Sequence, residues 1–293
     1  REAARGGAGA LGQVGLRGRA GDGALHGSLK GDGASAAAYY RDGRLTQAIS
    51  RGDGTIGEDI TANALRFKGL PAWVEDDGWP FTGAVRFEVI LTVEDWGRVD
   101  PARKTNPRNL GAGIMGRKNG QQSDLLTVFA FDIVDARTET ASTLTTERAK
   151  LARLQRLGFS VIPHQDCDTV DDAVTWFREV TTHRDRLPFW IDGVVMKIDD
   201  LAVQQALGVT GGRPKGQVAW KFDSAGAETV LEGVQVSGGH TGALVPVAQL
   251  RPVDIGGTTV RSASLANYDE IARLDVAIGD TVWLVKANDI IPK

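Results

Sequence analysis

The chain has 293 residues, 42% of them hydrophobic and 24% charged, and a formal net charge of −3. That length accommodates two domains of ordinary size, and the composition is that of a soluble globular protein. It excludes a membrane-spanning helix, since no run of about 18 apolar residues occurs, and a protein that coats its whole surface with nucleic acid, which would be basic.

The N-terminus carries Arg and Gly but no apolar stretch, which argues against a secretory signal. The single cysteine, Cys167, excludes a disulfide framework and any four-cysteine zinc site, and fits a reducing cytoplasm. The four histidines, His26, His164, His183 and His240, show no metal-ligand spacing and read as structural.

Residues 1–26 are rich in Gly, Ala and Arg and are expected to be irregular. At the end of Ala24–Leu29 comes Lys30-Gly31-Asp32-Gly33, a lysine beside a tight Asp-Gly bend. A turn aims such a lysine at a fixed angle, which a lysine nucleophile requires, although a plain surface turn has the same letters. Strands over Ala34–Tyr40 and Arg44–Ser50 form a hairpin about Asp42-Gly43. In the following Arg51–Asp59, Gly52, Gly54 and Gly57 would let a backbone approach a ligand, or simply shape a loop.

The strand Ala84–Leu91 carries Arg86 and Glu88 on one side, and a carboxylate in so apolar a run suggests that this face lines a site or water. Residues 101–120 read as a basic loop, with Arg103, Lys104, Arg108, Arg117 and Lys118 and no acid, so any nucleic-acid contact is local. Leu125–Ile133 is a buried strand. Helices are expected over Thr145–Leu157, with Leu151, Leu154 and Leu157 inward, and over Val170–Thr182, N-capped by Thr169. A bend at Asp192-Gly193 feeds a strand ending in Lys197. A short helix over Asp200–Leu207 precedes a strand, Gln217–Phe222, with Lys221 inside it. Lysines in apolar runs are rarely buried unpaired, so Lys197 and Lys221 point to an anionic ligand. After about Gly226 short strands and Gly-rich turns, with one helix at Tyr268–Leu274, have the texture of a five-stranded barrel.

These residues fit lysine attack on a phosphoryl centre. Lys30 would have to be neutral, and nearby cations and partial burial favour that. Lys197 and Lys221 would meet the charge that develops on the phosphoryl oxygens. Glu88 would be free for a ribose hydroxyl or a metal. The 101–120 segment would hold the backbone of a polymeric substrate.

The set Lys30-x-Asp32-Gly, Glu88 on a strand, Asp192-Gly-Val-Val-Met-Lys197 and Ala-Trp-Lys221-Phe resembles that of the covalent nucleotidyltransferases. Ser50–Asn63, Asn106-Pro-Arg-Asn109, Leu187–Val195, Thr241–Ala248 and Ile278-Gly-Asp…Ile290-Ile-Pro292 narrow the resemblance to bacterial NAD-dependent DNA ligases, over about Leu29 to Lys293. The resemblance implies an α+β adenylation domain of antiparallel sheets flanked by helices (27–225), followed by an oligonucleotide-binding (OB-fold) β-barrel domain, read as truncated (226–293). It implies NAD as AMP donor, Mg²⁺, and nicked double-stranded DNA as partner of a monomer in replication or repair.

By motif match Lys30 is the nucleophile, with Asp32, Glu88 and Lys221 catalytic. Glu88 touches ribose or metal, Lys197 lies against adenine, and Lys221 holds the α-phosphate. Arg51, Arg103, Arg108, Arg117, Arg184 and His240 face nick or nucleotide phosphates.

Three positions depart from the family's pattern. Ser28 replaces a glutamate near adenine, Gly116 stands where a second arginine belongs with Arg117 one step on, and Gly239-His240-Thr241-Gly242 replaces Gly-Arg-Thr-Gly. No segment before Leu29 matches the nicotinamide-binding domain, so the chain reads as a fragment or as a minimal, phage- or plasmid-like enzyme. As given it is expected to self-adenylate poorly from NAD and to seal a pre-adenylated nick weakly. A non-catalytic nick-binding module and a nucleotidyltransferase using ATP or GTP are the alternatives.

Overall fold

The structure is a computed structural model and describes residues 24–102, 105–135, 144–222, 226–238, 244–255, 258–287 and 291–292. The chain divides into two compact units, Arg1–Lys221 and Phe222–Lys293.

The first unit is built on two four-stranded antiparallel sheets. In chain order its strands are β1 (Leu25–Gly31), β2 (Ala34–Arg41), β3 (Arg44–Ser50), β4 (Glu75–Asp76), β5 (Trp79–Pro80), β6 (Gly83–Leu91), β7 (Leu126–Asp135), β8 (His164–Cys167), β9 (Ile191–Ile198), β10 (Val209–Thr210), β11 (Arg213–Pro214) and β12 (Gln217–Lys221). One sheet has the order β12-β9-β1-β8 and the other β3-β2-β6-β7. The chain passes from one sheet to the other at Asp32-Gly33, between β1 and β2, so the Lys30 motif lies at the junction of the two. Leu25 and His26 belong to β1, so the irregular segment expected over 1–26 overruns the strand, and residues 1–23 lie outside the described ones.

The helices are α1 (Thr61–Ala64), α2 (Val93–Val99), α3 (Pro107–Met115), α4 (Glu147–Arg156), α5 (Val170–His183) and α6 (Leu201–Leu207). Their starts follow from local chemistry. Thr169 begins α5 with a capping box, its hydroxyl accepting from the Asp172 amide while the Asp172 carboxylate accepts from the Thr169 amide. Asp200 caps α6 by accepting from the amides of Ala202 and Val203.

The expected basic loop over 101–120 is corrected here, because its middle is the helix α3. Asn106 Oδ1 accepts from the Arg108 amide at 2.8 Å, and Pro107 occupies the first turn, where its missing N–H costs nothing.

Two apolar clusters hold the unit together. One surrounds β2, β6 and β7 with Phe81, Phe87, Val128, Leu151 and Leu154. The other lies between α5 and the β1 sheet, with Leu25, Leu29, Ala173, Met196 and Trp220. Each fully buried Leu or Phe contributes about 1.5–3 kcal/mol. Alternation along β1 explains the second cluster: Leu25, Gly27 and Leu29 share one face, and His26, Ser28 and Lys30 the other. Gly27 is required there, since a Cβ would stand 2.5 Å from the Trp176 ring of α5.

The second unit contains β13 (Gly226–Gly238), β14 (Leu244–Ile255), β15 (Thr258–Ser264), β16 (Thr281–Ala287), β17 (Ile291–Pro292) and α7 (Tyr268–Leu274). Its antiparallel sheet has the order β15-β14-β13-β16-β17, and among the described residues no ladder closes it into a ring. Leu231, Leu250, Ile255, Val260 and Leu284 form its core.

Candidate nucleotide site

Across the β12-β9-β1-β8 sheet, paired residues fall into rows on the face opposite α5. Lys30, Gly193 and Lys221 make one row, Ser28, Val195 and Ala219 the next, and His26, Lys197 and Gln217 a third. The middle row is small and apolar or singly hydroxylated. It is flanked by cations at both ends, which suits a flat ring system with an anionic tail. A cleft of about 280 Å³ lined by Leu29, Trp176, Val180 and Leu187 lies under α5, on the side of β1 away from Lys30.

The first row is organised by a β-bulge. Lys30 pairs with Gly193 and Gly31 with Ile191, so Asp192 is the extra residue between them. A bulge re-aims a side chain that strict alternation would send to the other face. Here it puts the Asp192 carboxylate against both lysines. Lys30 Nζ donates to Oδ1 at 2.7 Å and to Oδ2 at 2.8 Å, and Lys221 Nζ lies 3.1 Å from Oδ2. Gly193 makes this possible: its φ is +155°, and a Cβ would come within 2.1 Å of the Trp220 carbonyl oxygen. The side chain of Asp192 is 5% exposed, whereas Lys30 and Lys221 are 30% and 46% exposed and reach toward solvent.

Glu88 comes from the other sheet. It pairs across from Ser35, whose hydroxyl donates to Glu88 Oε2 at 2.6 Å. Burial pushes the Glu88 carboxyl above its ordinary range, against the pull of the Ser35 hydrogen bond, Lys30 and Arg108. Asp32 is likewise raised by burial, although Arg108 Nη1 donates to its Oδ1 at 3.0 Å and opposes the shift. Arg108 thus reaches from the first turn of α3 to the Lys30 motif.

The remaining candidates divide. Lys197 is held by Glu147 Oε2 at 3.0 Å, four residues along β9 from Gly193. At about 3.3 Å per residue its Cα is about 13 Å from the first row. Lys30 and Lys221 therefore share one carboxylate, and Lys197 has a different one. Ser28 is buried in the middle row. Arg51 is exposed, and its amide donates to the Ser35 carbonyl at 2.9 Å. The loop after it is self-supporting: Asp53 Oδ1 accepts from the amides of Thr55 and Ile56, and a Cβ on Gly52 would lie 1.7 Å from the Ile56 carbonyl oxygen. Arg117 donates to the side-chain oxygen of Gln122. Arg184 lies on a short turn, 4.0 Å from Asp185. Arg103 and His240 lie outside the described residues.

Sequence reasoning missed Asp192, Glu147 and Ser35 as site residues. The bend reading of Asp192-Gly193 marked the right place but gave the aspartate no part. Ser35 stands opposite Glu88 on a small-residue strand, a signal visible only once the pairing is known.

Two family models match the chain. The NAD-dependent DNA ligase adenylation domain covers residues 20–225, and the NAD-dependent DNA ligase OB-fold domain covers residues 228–293. A DNA ligase of Solibacter usitatus is 38% identical over 275 residues, which is 90% of this chain and 41% of that protein. A DNA ligase of Halorhodospira halophila is 38% identical over 277 residues, 91% of this chain and 38% of that protein. The chain spans about two fifths of the length of these curated relatives. A solved structure from a study of Lig E DNA ligases as minimal DNA-binding scaffolds shares the fold with a TM-score of 0.50 at 14% identity, over 91% of this chain and 89% of that one. No helix among the described residues is long and apolar enough to cross a membrane.

Proposed function

The chain belongs to the NAD-dependent DNA ligase family, and from that membership we propose that it carries out the family's adenylyl transfers, with Lys30 as the nucleophile that bears AMP. The observation that carries this reading is the seat of Lys30, an amine held at 2.7 Å by a bulge-presented carboxylate that also receives Lys221.

A lysine amine attacks only after losing a proton. Asp192 is already within hydrogen-bond reach of that proton and serves as its acceptor. The Nζ lone pair then attacks the adenylyl phosphorus of NAD. The N–P bond forms as the P–O bond to nicotinamide mononucleotide breaks, and the mononucleotide leaves with that electron pair. Lys221, beside the same carboxylate, faces the oxygens on which charge grows and is worth most in the transition state. In the second transfer the 5′-phosphate of a nick attacks the same phosphorus, the N–P bond breaks, and Lys30 recovers its proton. The 3′-hydroxyl finally displaces AMP from the 5′-phosphate and closes the strand.

The adenine would lie along the Ser28–Val195–Ala219 row with Lys197 at its far edge. Among the described residues no three His, Cys, Asp or Glu side chains converge into a cation cage. That fits Mg²⁺, which keeps most of its waters and takes one or two carboxylates plus substrate phosphates. Glu88 would hold it, and it would supply charge neutralisation at the phosphates. Nicked duplex DNA is the proposed partner, met by Arg51, Arg108, Arg117 and Arg184, with Arg103 and His240 assigned to DNA contact from sequence alone. The protein would act as a monomer in the cytoplasm.

Intact mass after incubation with NAD or ATP tests the reading. Gain of one AMP on Lys30 from NAD and none from ATP is the expected result. No adduct from either donor would favour the non-catalytic alternative, and an adduct from ATP alone would overturn the donor.

A further inference from the structure

We propose that Glu147 is the positioning residue for Lys197. The proposal rests on the reading of Lys197 as a nucleotide-contacting lysine. Glu147 is the first residue of α4, and its side chain is 2% exposed. Both oxygens are occupied. Oε2 accepts from Lys197 Nζ at 3.0 Å, and Oε1 accepts from Lys150 Nζ at 2.9 Å and from Gln204 Nε2 at 3.0 Å. Gln204 also donates to the Ile198 carbonyl at 2.6 Å, which ties α6 to the residue beside Lys197. Donors from β9, α4 and α6 therefore fix a single carboxylate. Burial would raise Glu147, but Lys197 and Lys150 outweigh it and hold the carboxyl below the ordinary range, so it stays charged.

The backbone around this carboxylate is clamped as well. The Glu147 amide donates to the Asp199 carbonyl at 2.8 Å, and the Leu201 amide to the Thr145 carbonyl at 2.9 Å. Residues 145–147 are thus laced to the segment that immediately follows Lys197. From the other side, Lys150 lies 2.9 Å from Asp132 of β7, which pairs with Arg86 of β6. An ion-pair chain, Arg86–Asp132–Lys150–Glu147–Lys197, runs from one sheet to the other and ends on the nucleotide face.

A free lysine samples many rotamers. A ligand that must order it loses affinity; a lysine already held loses less on binding. Lys197 is 13% exposed at its side chain, so its reach toward the middle row is decided by where Glu147 puts the ammonium.

The test is a double-mutant cycle on the full chain, with AMP affinity read by calorimetry and thermal melting followed in parallel. Lys197→Met should weaken AMP binding at least about tenfold and Glu147→Gln at least about fivefold, and the double variant should match Lys197→Met within about twofold. At saturating NAD, Glu147→Gln should change the rate of Lys30 adenylation less than about threefold, so the loss sits in KM. If Lys197→Met binds AMP normally, the nucleotide reading of Lys197 fails. If Lys197→Met is weakened and Glu147→Gln is not, or if the two losses add, the positioning role fails and Glu147 is only structural. Should Glu147→Gln not fold, Glu147→Asp takes its place in the same cycle. It keeps the charge and withdraws the carboxylate by one methylene, and the same coupling to Lys197 is expected.

Discussion

Lys30 Nζ lies 2.7 Å from Oδ1 and 2.8 Å from Oδ2 of Asp192, a residue left without a partner on β1 because β9 bulges there. The two are 162 positions apart in the chain, and only the antiparallel pairing of β1 with β9 brings them together. The same carboxylate meets Lys221 at 3.1 Å. One buried anion thus aims two partly exposed cations at the same region of the sheet face opposite α5.

Lys30→Ala should abolish both the AMP adduct and sealing, and Lys30→Arg should do so as well, because a guanidinium does not give up its proton near neutral pH. Intact mass after incubation with NAD and Mg²⁺ is the check. An adduct persisting in either variant would move the nucleophile elsewhere.

Asp192→Asn should slow Lys30 adenylation by at least about tenfold, roughly 1.4 kcal/mol of barrier. The residual rate should climb with pH as hydroxide and buffer take over the proton transfer that the carboxylate performed. A rate within about threefold of wild type with an unchanged pH profile would leave Asp192 as a structural anchor only.

Lys221→Met should cut kcat by more than about tenfold while changing KM much less, since a cation aimed at growing charge acts mainly in the transition state. A raised KM with normal kcat would show that Lys221 only holds the ground state.

The parts of this site carried by a single strand could be read from sequence, and the parts that depend on pairing could not. Lys30, Glu88 and Lys221 each sit in a motif whose local pattern announces a strand or turn. Asp192 reads as half of an Asp-Gly bend, and its role depends on a bulge defined by a distant strand. Glu147 looks like an ordinary helix-opening glutamate, and its partner is 50 positions away. The helix α3 was hidden by Pro107 at its start and Gly111 and Gly113 inside it, residues of low helix propensity that tertiary burial of Ile114 and Met115 overrides. For α2 a signal did exist: Thr92, which accepts from the Asp95 amide at 3.2 Å, precedes an acidic first turn in the pattern of an N-cap.

Removing one exposed cation that meets a phosphate should lower the slope of log affinity against log salt for nicked DNA by about one, without altering sequence preference. Arg51→Ala is the clean case, since that side chain is exposed on a loop that holds itself together through Asp53. Arg117→Ala is expected to give the same change of slope with some loss of local order, because Arg117 also braces Gln122. Slopes equal to wild type in both variants would leave the arginines as solvated surface.

Glu88 gives a prediction on stability as well as on catalysis. Its carboxyl is raised above the ordinary glutamate value of 4.5, burial being the largest cause. A raised folded-state value means that the folded protein binds this proton more tightly than the unfolded chain. The resulting stabilisation is complete below the unfolded value and is lost as pH climbs through the folded one. Above that point the wild-type protein holds a buried charge that the Ser35 hydrogen bond, Lys30 and Arg108 compensate only in part. Glu88→Gln removes that charge and can still accept from the Ser35 hydroxyl through its side-chain carbonyl. The ligand-free variant should therefore melt at a higher temperature than wild type near neutral pH, and the gap should close as pH is lowered through the folded value toward 4.5. Adenylation should fall in the same variant, since the oxygen charge that would hold a metal or ribose is gone. Melting curves across that range decide the point. A gap that does not depend on pH would mean that burial does not perturb Glu88 in the folded protein, and its presence on an apolar strand would then owe nothing to a charge held ready for a ligand.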